Sequence, residues 1–320
     1  MFSRRQFLKC AVWTGAGLGM STVNPLGLAE AWGQTQPSTS GGNMKRDFKI
    51  SLAAWSLHRT LGKGEGQRPM LEMPAIAREE FGLDGIELVN QMLPSREPSY
   101  LKQFAAEAEK HNVRILLIMC DGEGNIGAES ENLRTRAVEN HRKWIDIAAD
   151  FGCHSIRMNW GGAPKDVMQK PDLLEAFIAR SVPGFQQLAD YAGNKGLDVL
   201  IENHWGPSSY PDAVEKLMAK VNHPHFGVLP DFGNFPDEVD RYDAIDRLMV
   251  FAKKAVSFKC YDFDPQTGLD TKIDQERMIR IVHDKHGYHG YIGIEYEGSG
   301  PEMEGIRAAK ALLEKLRGQA

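Results

Sequence analysis

Carboxylate side chains end three well-separated apolar runs of this 320-residue chain. Glu202 follows VLI, Asp231 follows VLP and Glu295 follows IGI. A positioned carboxylate can remove a proton from the carbon next to a carbonyl group. Three carboxylates together suit a hard divalent cation such as Mg²⁺ or Mn²⁺, because such ions prefer oxygen ligands. These residues therefore predict acid–base chemistry with a shared metal, provided that the fold brings them together.

Other polar and aromatic residues stand at or near the ends of further apolar runs. Because side chains alternate along a strand, Arg157 shares a face with Asn159, and Ser257 shares a face with Lys259. His204 is expected either to bind a substrate hydroxyl or to orient Glu202. The predicted substrate-binding residues are Trp55, Glu87, Arg157, Asn159, His204, Lys259 and Tyr261.

Short β-rich runs alternate with longer amphipathic segments along most of the chain, and several of these segments end in Gly or Asn just before the next run, as helix C-caps do. Eight runs are predicted as strands: Phe48–Trp55, Gly85–Val89, Val113–Cys120, Ser155–Trp160, Leu197–Asn203, Phe226–Asp231, Ala255–Tyr261 and Tyr291–Tyr296.

This alternation predicts an α/β fold, a single parallel (β/α)₈ TIM barrel over residues 47–320. An open doubly wound sheet is the alternative, but no predicted strand is followed by a glycine-rich dinucleotide-binding turn. In a (β/α)₈ barrel the carboxyl ends of the strands form the active site. The three carboxylates are therefore expected at one rim.

The segments VLIENHWG, GVLPDFGNF and GYIGIEYEG resemble the metal-binding strand ends of the xylose isomerase-like TIM-barrel superfamily. They are most similar to its sugar phosphate isomerase/epimerase group, which includes tagatose 3-epimerase and hydroxypyruvate isomerase. The resemblance implies that Glu202, Asp231 and Glu295 bind one divalent cation and that the two glutamates act as acid and base. The histidine usual on strand seven is replaced by Ser257, and Asn234 stands where relatives often have a second histidine. The metal is therefore expected to be held more weakly, to be completed by water, or to be absent.

The predicted function is that of a sugar isomerase or epimerase, which removes a proton next to a carbonyl group and passes through an enediolate. A lyase or dehydratase acting on a keto-sugar or keto-glycoside would use the same carboxylates. A non-catalytic carbohydrate-binding barrel that has lost its metal with Ser257 is the alternative outside enzymes.

Residues 1–31 have the three-part build of an export signal, and the pair Arg4–Arg5 resembles the twin-arginine type. We therefore expect a periplasmic or secreted protein. A polar segment rich in Pro, Gly and Ser follows at residues 32–46 and is predicted to be a disordered linker.

The formal net charge is −5 and the cations are scattered, so a nucleic-acid partner is not expected. No membrane span is predicted, and assembly of identical subunits is left open. Cys120, Cys153 and Cys260 are expected to be buried thiols. Three histidines, at 283, 286 and 289, precede strand eight and are interpreted as surface residues on the opposite rim from the carboxylates.

Overall fold

Eight parallel strands form the centre of the fold in the computed structural model of the protein, which describes residues 45–62 and 64–318. The neighbours in the sheet follow the order β6-β5-β4-β3-β2-β1-β8-β7. Every prediction of a strand is confirmed. The strands are β1 Lys49–Ala53, β2 Gly85–Val89, β3 Arg114–Cys120, β4 Ser155–Met158, β5 Asp198–Glu202, β6 Phe226–Leu229, β7 Ala255–Cys260 and β8 Tyr291–Tyr296.

Helices alternate with the strands and cover the outside of the barrel. They are α1 Met73–Ala75, α2 Pro98–Lys110, α3 Glu131–Asp150, α4 Pro171–Gly193, α5 Pro211–Val221, α6 Arg241–Leu248, α7 Gln275–Ile279 and α8 Glu302–Gly318. Single turns of π-helix extend α1 over Ile76–Glu80 and α7 over Arg280–Lys285. The predicted (β/α)₈ TIM barrel is therefore confirmed.

The barrel closes between β6 and β7 through isolated parallel bridges rather than through a continuous ladder. Val228 pairs with Ala252, and Asp231 pairs with Ser257. The Ser257 N–H donates to the Pro230 carbonyl at 2.9 Å, and the Phe232 N–H donates to the Ser257 carbonyl at 3.2 Å. The seam that completes the barrel thus passes through Asp231, one of the predicted metal ligands, and through Ser257.

Five predicted strands, those of β1, β4, β5, β6 and β7, extend beyond the observed carboxyl ends. β6 ends at Leu229, although Asp231 was the predicted last residue. Pro230 lacks the N–H that a ladder needs, so the chain leaves the sheet there. In the same way Trp55, Trp160 and Asn203 lie just after their strands. Residues with high β propensity continue into the loops at the mouth of the barrel, so composition predicts strand ends beyond the observed ones.

The predicted export signal lies outside the described residues, as does the predicted linker except for its last two positions. Arg46 is one of these, and it is buried. Its guanidinium donates to both carboxylate oxygens of Asp284 at 2.8 Å and to the Leu316 carbonyl. The ordered chain therefore begins no later than Arg46, one residue earlier than the predicted domain boundary.

The three cysteines of the predicted barrel are free and buried, as expected from their apolar surroundings. They are Cys120, Cys153 and Cys260. Within residues 45–62 and 64–318, no helix combines the length and the apolar character needed to cross a bilayer.

Candidate active site

Glu202, Asp231 and Glu295 meet at the carboxyl ends of β5, β6 and β8. One carboxylate oxygen of each lies within 4.8 Å of the others. All three side chains are buried, with at most 4% of any residue exposed. The predicted convergence of the three acids is therefore present in the fold, and we call these residues the carboxylate triad.

Ser257 on β7 lies between two members of the triad. Its Oγ is 2.7 Å from Asp231 Oδ2 and 2.6 Å from Glu295 Oε2. A hydroxyl group has one hydrogen to donate. The second short contact therefore requires a proton on one of the carboxyl groups or a cation that the three oxygens share.

Lys259 supplies a buried positive charge beside the triad. Its ammonium group donates to Glu295 Oε1 at 2.9 Å and to Glu297 Oε1 at 3.0 Å, and it lies 3.7 Å from Asp231 Oδ2. Burial opposes the charge of Lys259 most strongly, but the surrounding carboxylates outweigh that effect and raise its pKa well above the ordinary value. The ammonium group therefore stays charged.

Arg157 is the second buried cation, and it faces Glu202. Its Nε lies 2.7 Å from Glu202 Oε2, which makes an ion pair, although the two atoms are not aligned as a hydrogen bond. Its Nη1 donates to Asp121 Oδ1 at 2.6 Å, and the amide of Asn159 donates to the same oxygen at 2.6 Å. Arg157 and Asn159 do share a face, as predicted from alternation along β4.

The loop after β6 holds Asp231 through the backbone. Asp231 Oδ1 accepts hydrogen bonds from the N–H groups of Gly233 at 2.8 Å and Asn234 at 2.9 Å. The side chain of Asn203 exchanges two hydrogen bonds, each 2.8 Å long, with the Asp231 backbone. Asn234 then donates from its amide to Glu202 Oε1 at 3.0 Å. The strand ends of β5 and β6 are thus locked together.

The electrostatic environments of the two glutamates differ. Burial raises the pKa of Glu202 to about 7, although Arg157 opposes that change. Burial is also the largest effect on Glu295, but Lys259 and Ser257 together outweigh it and lower the pKa of that carboxyl group. Burial raises the pKa of Asp231 to about 7. A proton held by the triad therefore favours Asp231 or Glu202 over Glu295.

Glu87 lies one layer below Glu295 and is closed off from solvent, with 1% of the residue exposed. Its Oε1 accepts a hydrogen bond from Ser51 at 2.6 Å. The carboxylate occupies space left by Gly293, where any side chain would collide with it. Burial raises the pKa of Glu87 to about 7. Glu87 was predicted to bind substrate, but this placement puts it beneath the triad and not in the cleft.

The pKa of Glu87 predicts a pH-dependent effect of Glu87→Gln on stability. The folded-state pKa is about 7 against an ordinary 4.5, so the folded protein binds the proton more tightly than the unfolded chain. The ionisable Glu87 therefore lowers stability progressively from about pH 4.5 to about pH 7, and the loss persists above that. Glu87→Gln should stabilise the protein at pH 8 by on the order of 2 kcal/mol and have little effect at pH 4.

Urea unfolding in the presence of a chelator, at pH 4 and at pH 8, measures this difference. Glu304→Gln on the exposed side of α8 is the matched control and should show no pH-dependent change. An equal effect of Glu87→Gln at both pH values would contradict the burial argument.

A cleft of about 550 Å³ opens beside the triad between the loops that follow β4, β5 and β6. His204 and Asn234 line it, and Asn234 connects it to Glu202. Trp205 also lines the cleft and is 46% exposed, which is high for so large an apolar side chain. Burial, followed by the positive charges of Arg157 and Lys259, lowers the pKa of His204, so its imidazole is neutral near pH 7.

The two remaining predicted substrate-binding residues lie at the other side of the mouth. Trp55 donates from its indole N–H to Glu297 Oε1 at 2.9 Å. Tyr261 is partly buried, and the ammonium group of Lys272 lies 4.0 Å from its ring centre. Both rings therefore belong to the rim, and neither touches the carboxylate triad through a hydrogen bond in the described part of the chain.

The donor atoms of the triad fit a hard divalent cation. All are carboxylate oxygens, and the Ser257 hydroxyl adds a fourth oxygen. Among the described residues, Glu202 Oε2 is a buried oxygen without an aligned hydrogen-bond donor. A cation bound between these oxygens would satisfy both that oxygen and the second contact of Ser257.

The comparisons with known proteins agree with this architecture. A sequence model of the family described as "Xylose isomerase-like TIM barrel" matches residues 75–316. The chain belongs to the xylose isomerase-like TIM-barrel family. No curated protein sequence matches it significantly.

Solved structures of the same fold include enzymes and proteins that are described as similar to enzymes. A D-tagatose 3-epimerase-like protein has a TM-score of 0.67 at 15% identity, covering 84% of this chain and 97% of that chain. The 3-keto-D-glucoside 4-epimerase of E. coli has a TM-score of 0.64 at 13% identity, covering 85% and 99%. A xylose isomerase-like TIM-barrel protein from Mycobacterium smegmatis, solved with magnesium, has a TM-score of 0.60 at 17% identity, covering 87% and 100%. At these identities the likeness is one of fold.

Four residues of the site were not among the predicted ones. Asp121, directly after β3, holds Arg157 and Asn159, and it obeys the same strand-end rule that identified the triad. Glu297 pairs with Lys259, and its position two residues after Glu295 was a usable signal. Ser51 carries no charge, and only its contact with Glu87 in the folded chain marks it. The hydrogen bond from Asn234 to Glu202 was likewise not predicted.

Proposed function

We propose that the protein is a sugar epimerase or isomerase that acts on keto-sugars or keto-glycosides by proton transfer next to a carbonyl group. One observation carries the proposal: Glu202 and Glu295 converge on one buried point while each pairs with a different buried cation. Two carboxylates that meet a substrate in different electrostatic states are suited to opposite roles in proton transfer.

In the proposed reaction Glu295, which Lys259 keeps ionised, takes the proton from the carbon next to the carbonyl. The electron pair of the broken C–H bond moves toward the carbonyl oxygen and forms an enediolate. Arg157 and Lys259 are fixed positive charges close enough to stabilise that oxygen. Glu202, held by Arg157 and Asn234, returns a proton from its own side.

The site of proton return decides the product. Return to the opposite face of the same carbon gives the epimer, and return to the neighbouring carbon gives the isomer. Loss of a substituent from the β-carbon of the same intermediate gives the product of a lyase or dehydratase. All three outcomes begin with the same proton abstraction.

Glu202, Asp231, Glu295 and the Ser257 hydroxyl would hold the divalent cation that the family implies. When bound, such an ion acts as a Lewis acid on the carbonyl and hydroxyl oxygens of a substrate. Mg²⁺ and Mn²⁺ are the ions that an all-oxygen donor set favours.

The cleft supports a carbohydrate substrate. His204 Nδ1 is buried at its edge without a hydrogen-bond partner in the described chain, so it is available to a substrate hydroxyl. The exposed ring of Trp205 offers a flat apolar surface of the kind that packs against a sugar ring. A cleft of about 550 Å³ has room for a sugar that carries a further substituent.

Proton abstraction can be tested before the product is known. We expect the protein, incubated in D₂O with Mg²⁺ or Mn²⁺ and a panel of ketoses and 3-keto-glycosides, to incorporate deuterium next to the carbonyl of its substrate. Proton NMR would detect the exchange and, in the same spectra, distinguish epimer, isomer and elimination product. Binding of a sugar without exchange at any carbon would favour the non-catalytic carbohydrate-binding barrel and overturn the proposal.

We also propose export by the twin-arginine pathway, on the basis of Arg4 and Arg5. Replacing both by lysine should leave the protein in the cytoplasm of a bacterial host, because the export receptor recognises the guanidinium pair. Cell fractionation measures this result. Undiminished periplasmic protein from the Arg4→Lys/Arg5→Lys variant would contradict the assignment.

A further inference from the structure

A second group of metal-binding side chains lies at the other end of the barrel. Asp47 directly precedes the amino end of β1, while His283 and His289 lie in the segment that leads into β8. One ligand atom of each lies within 4.8 Å of the others. We call these residues the Asp–His cluster. Because the strands are parallel, their amino ends lie opposite the carboxylate triad.

Both imidazoles of the cluster face a single oxygen atom. His283 Nε2 lies 3.1 Å from Asp47 Oδ1, and His289 Nδ1 contacts the same oxygen. The two rings are nearly perpendicular, with their centres 5.1 Å apart. Neighbouring ligands of a tetrahedral zinc ion are about 3.3 Å apart when each lies about 2.0–2.1 Å from the metal. The separation of His283 Nε2 and Asp47 Oδ1 is thus already close to that of two ligands of one ion.

The orientation of His283 is set by a chain of contacts behind it. His283 Nδ1 lies 3.0 Å from Asp284 Oδ1, and both oxygens of Asp284 accept from the guanidinium of Arg46 at 2.8 Å. A carboxylate behind a histidine fixes the ring and its tautomer in many metal sites. Asp284 therefore leaves Nε2 as the nitrogen that faces Asp47.

A nearby histidine shows what an ordinary ion pair looks like in this segment. His286 Nε2 lies 2.8 Å from Asp246 Oδ1, and no second imidazole faces that carboxylate in the described chain. The Asp–His cluster differs because two imidazoles compete for one oxygen. A divalent cation bound by Asp47, His283 and His289 would take the place of the protons by which the two imidazoles contact the Asp47 carboxylate.

We propose that Asp47, His283 and His289 form a second divalent-cation site, specific for ions of the zinc class. Imidazole nitrogens favour Zn²⁺, Co²⁺, Ni²⁺ and Cu²⁺, whereas the all-oxygen triad favours Mg²⁺ and Mn²⁺. Asp47 and His289 are largely exposed, with 68% and 57% of their side chains accessible, so the ion can enter from solvent and complete its shell with water.

The position of the site indicates a structural role. It joins the segment that enters β1 to the segment that enters β8, next to the hydrogen bond from the Lys49 N–H to the Gly290 carbonyl at 2.9 Å. A bound ion would fasten the first strand of the barrel to the last. Since the ion binds the folded chain, it should raise the melting temperature.

The test is calorimetric titration of Zn²⁺ into the full chain without an affinity tag, in buffer that contains saturating Mg²⁺. We expect the wild-type protein to bind one zinc ion more than His283→Gln/His289→Gln, or to bind that ion at least tenfold more tightly. Asp47→Ala should show the same loss, and Zn²⁺ should no longer raise its melting temperature.

Two controls separate this site from other binding. His286→Gln removes a histidine of the same segment and should keep the zinc ion, and Asp231→Asn disrupts the carboxylate triad and should also keep it. Equal zinc stoichiometry and affinity in wild type and His283→Gln/His289→Gln would overturn the proposal, as would an equal loss in His286→Gln. Circular dichroism without zinc verifies that each variant is folded.

Discussion

Glu295→Gln should lower the rate of deuterium incorporation, and Glu202→Gln should lower the rate of conversion to product, each by about 10²–10⁴-fold, the range that general acid–base catalysis contributes. Glutamine keeps the shape of the side chain and its ability to accept a hydrogen bond, but it cannot take or return a proton. Glu202 is buried with a raised pKa, so a neutral amide should be tolerated there. The rates are measured by NMR in D₂O on the substrate that the panel identifies.

Glu304→Gln is the control, since that glutamate is exposed on α8 and belongs neither to the carboxylate triad nor to the lining of the cleft. Its exchange rate should equal that of the wild type. Near-wild-type exchange in Glu295→Gln, with a folded protein, would remove Glu295 from the role of base. Near-wild-type conversion to product in Glu202→Gln would leave only one of the two carboxylates in proton transfer.

Lys259→Met should destabilise the cation-free protein by about 3–5 kcal/mol, because removing one partner leaves buried carboxylates without their counter-charge. Lys259 is fully buried between Glu295, Glu297 and Asp231. A divalent cation at the triad would supply part of the missing charge. The stability of Lys259→Met should therefore rise with Mg²⁺ concentration more steeply than that of the wild type.

Denaturant unfolding with chelator and at several Mg²⁺ concentrations measures both effects. Lys102→Met on α2 replaces an exposed lysine and should change stability by less than about 0.5 kcal/mol. Adding Glu295→Gln to Lys259→Met should recover part of the loss, since it removes one of the unpaired charges. A Lys259→Met protein as stable as the wild type in chelator would show that the ammonium group does not balance the triad.

The fold was predictable because its local signals agree with one another. Gly85–Val89 and Tyr291–Tyr296 were assigned with their observed bounds, since a helix C-cap or a glycine precedes each and a clear polar residue follows. The carboxyl ends of other strands were less predictable. The residues that line the mouth keep strand-like composition after the ladder has ended, and only Pro230 signals the break in sequence.

The site was predictable where charge and strand position coincide. The convergence of Glu202, Asp231 and Glu295 follows from their places at the ends of parallel strands. The depth of Glu87 does not, because it depends on the space left by Gly293 on a strand that is distant in sequence. The partners of Ser257 are equally invisible in sequence, since a serine in a strand is neutral until its neighbours are known.

The bridge between Asp231 and Ser257 makes the last seam of the barrel a part of the carboxylate triad. Only a few backbone hydrogen bonds join β6 to β7, so this seam is the place where the cylinder should open most readily. Amide hydrogen exchange at Ser257 and Phe232 would then report occupancy of the triad, because a cation held there ties both edges together. If the proposed cation binds there, its loss and the first local unfolding event would be one process, and protection of two amides would measure both.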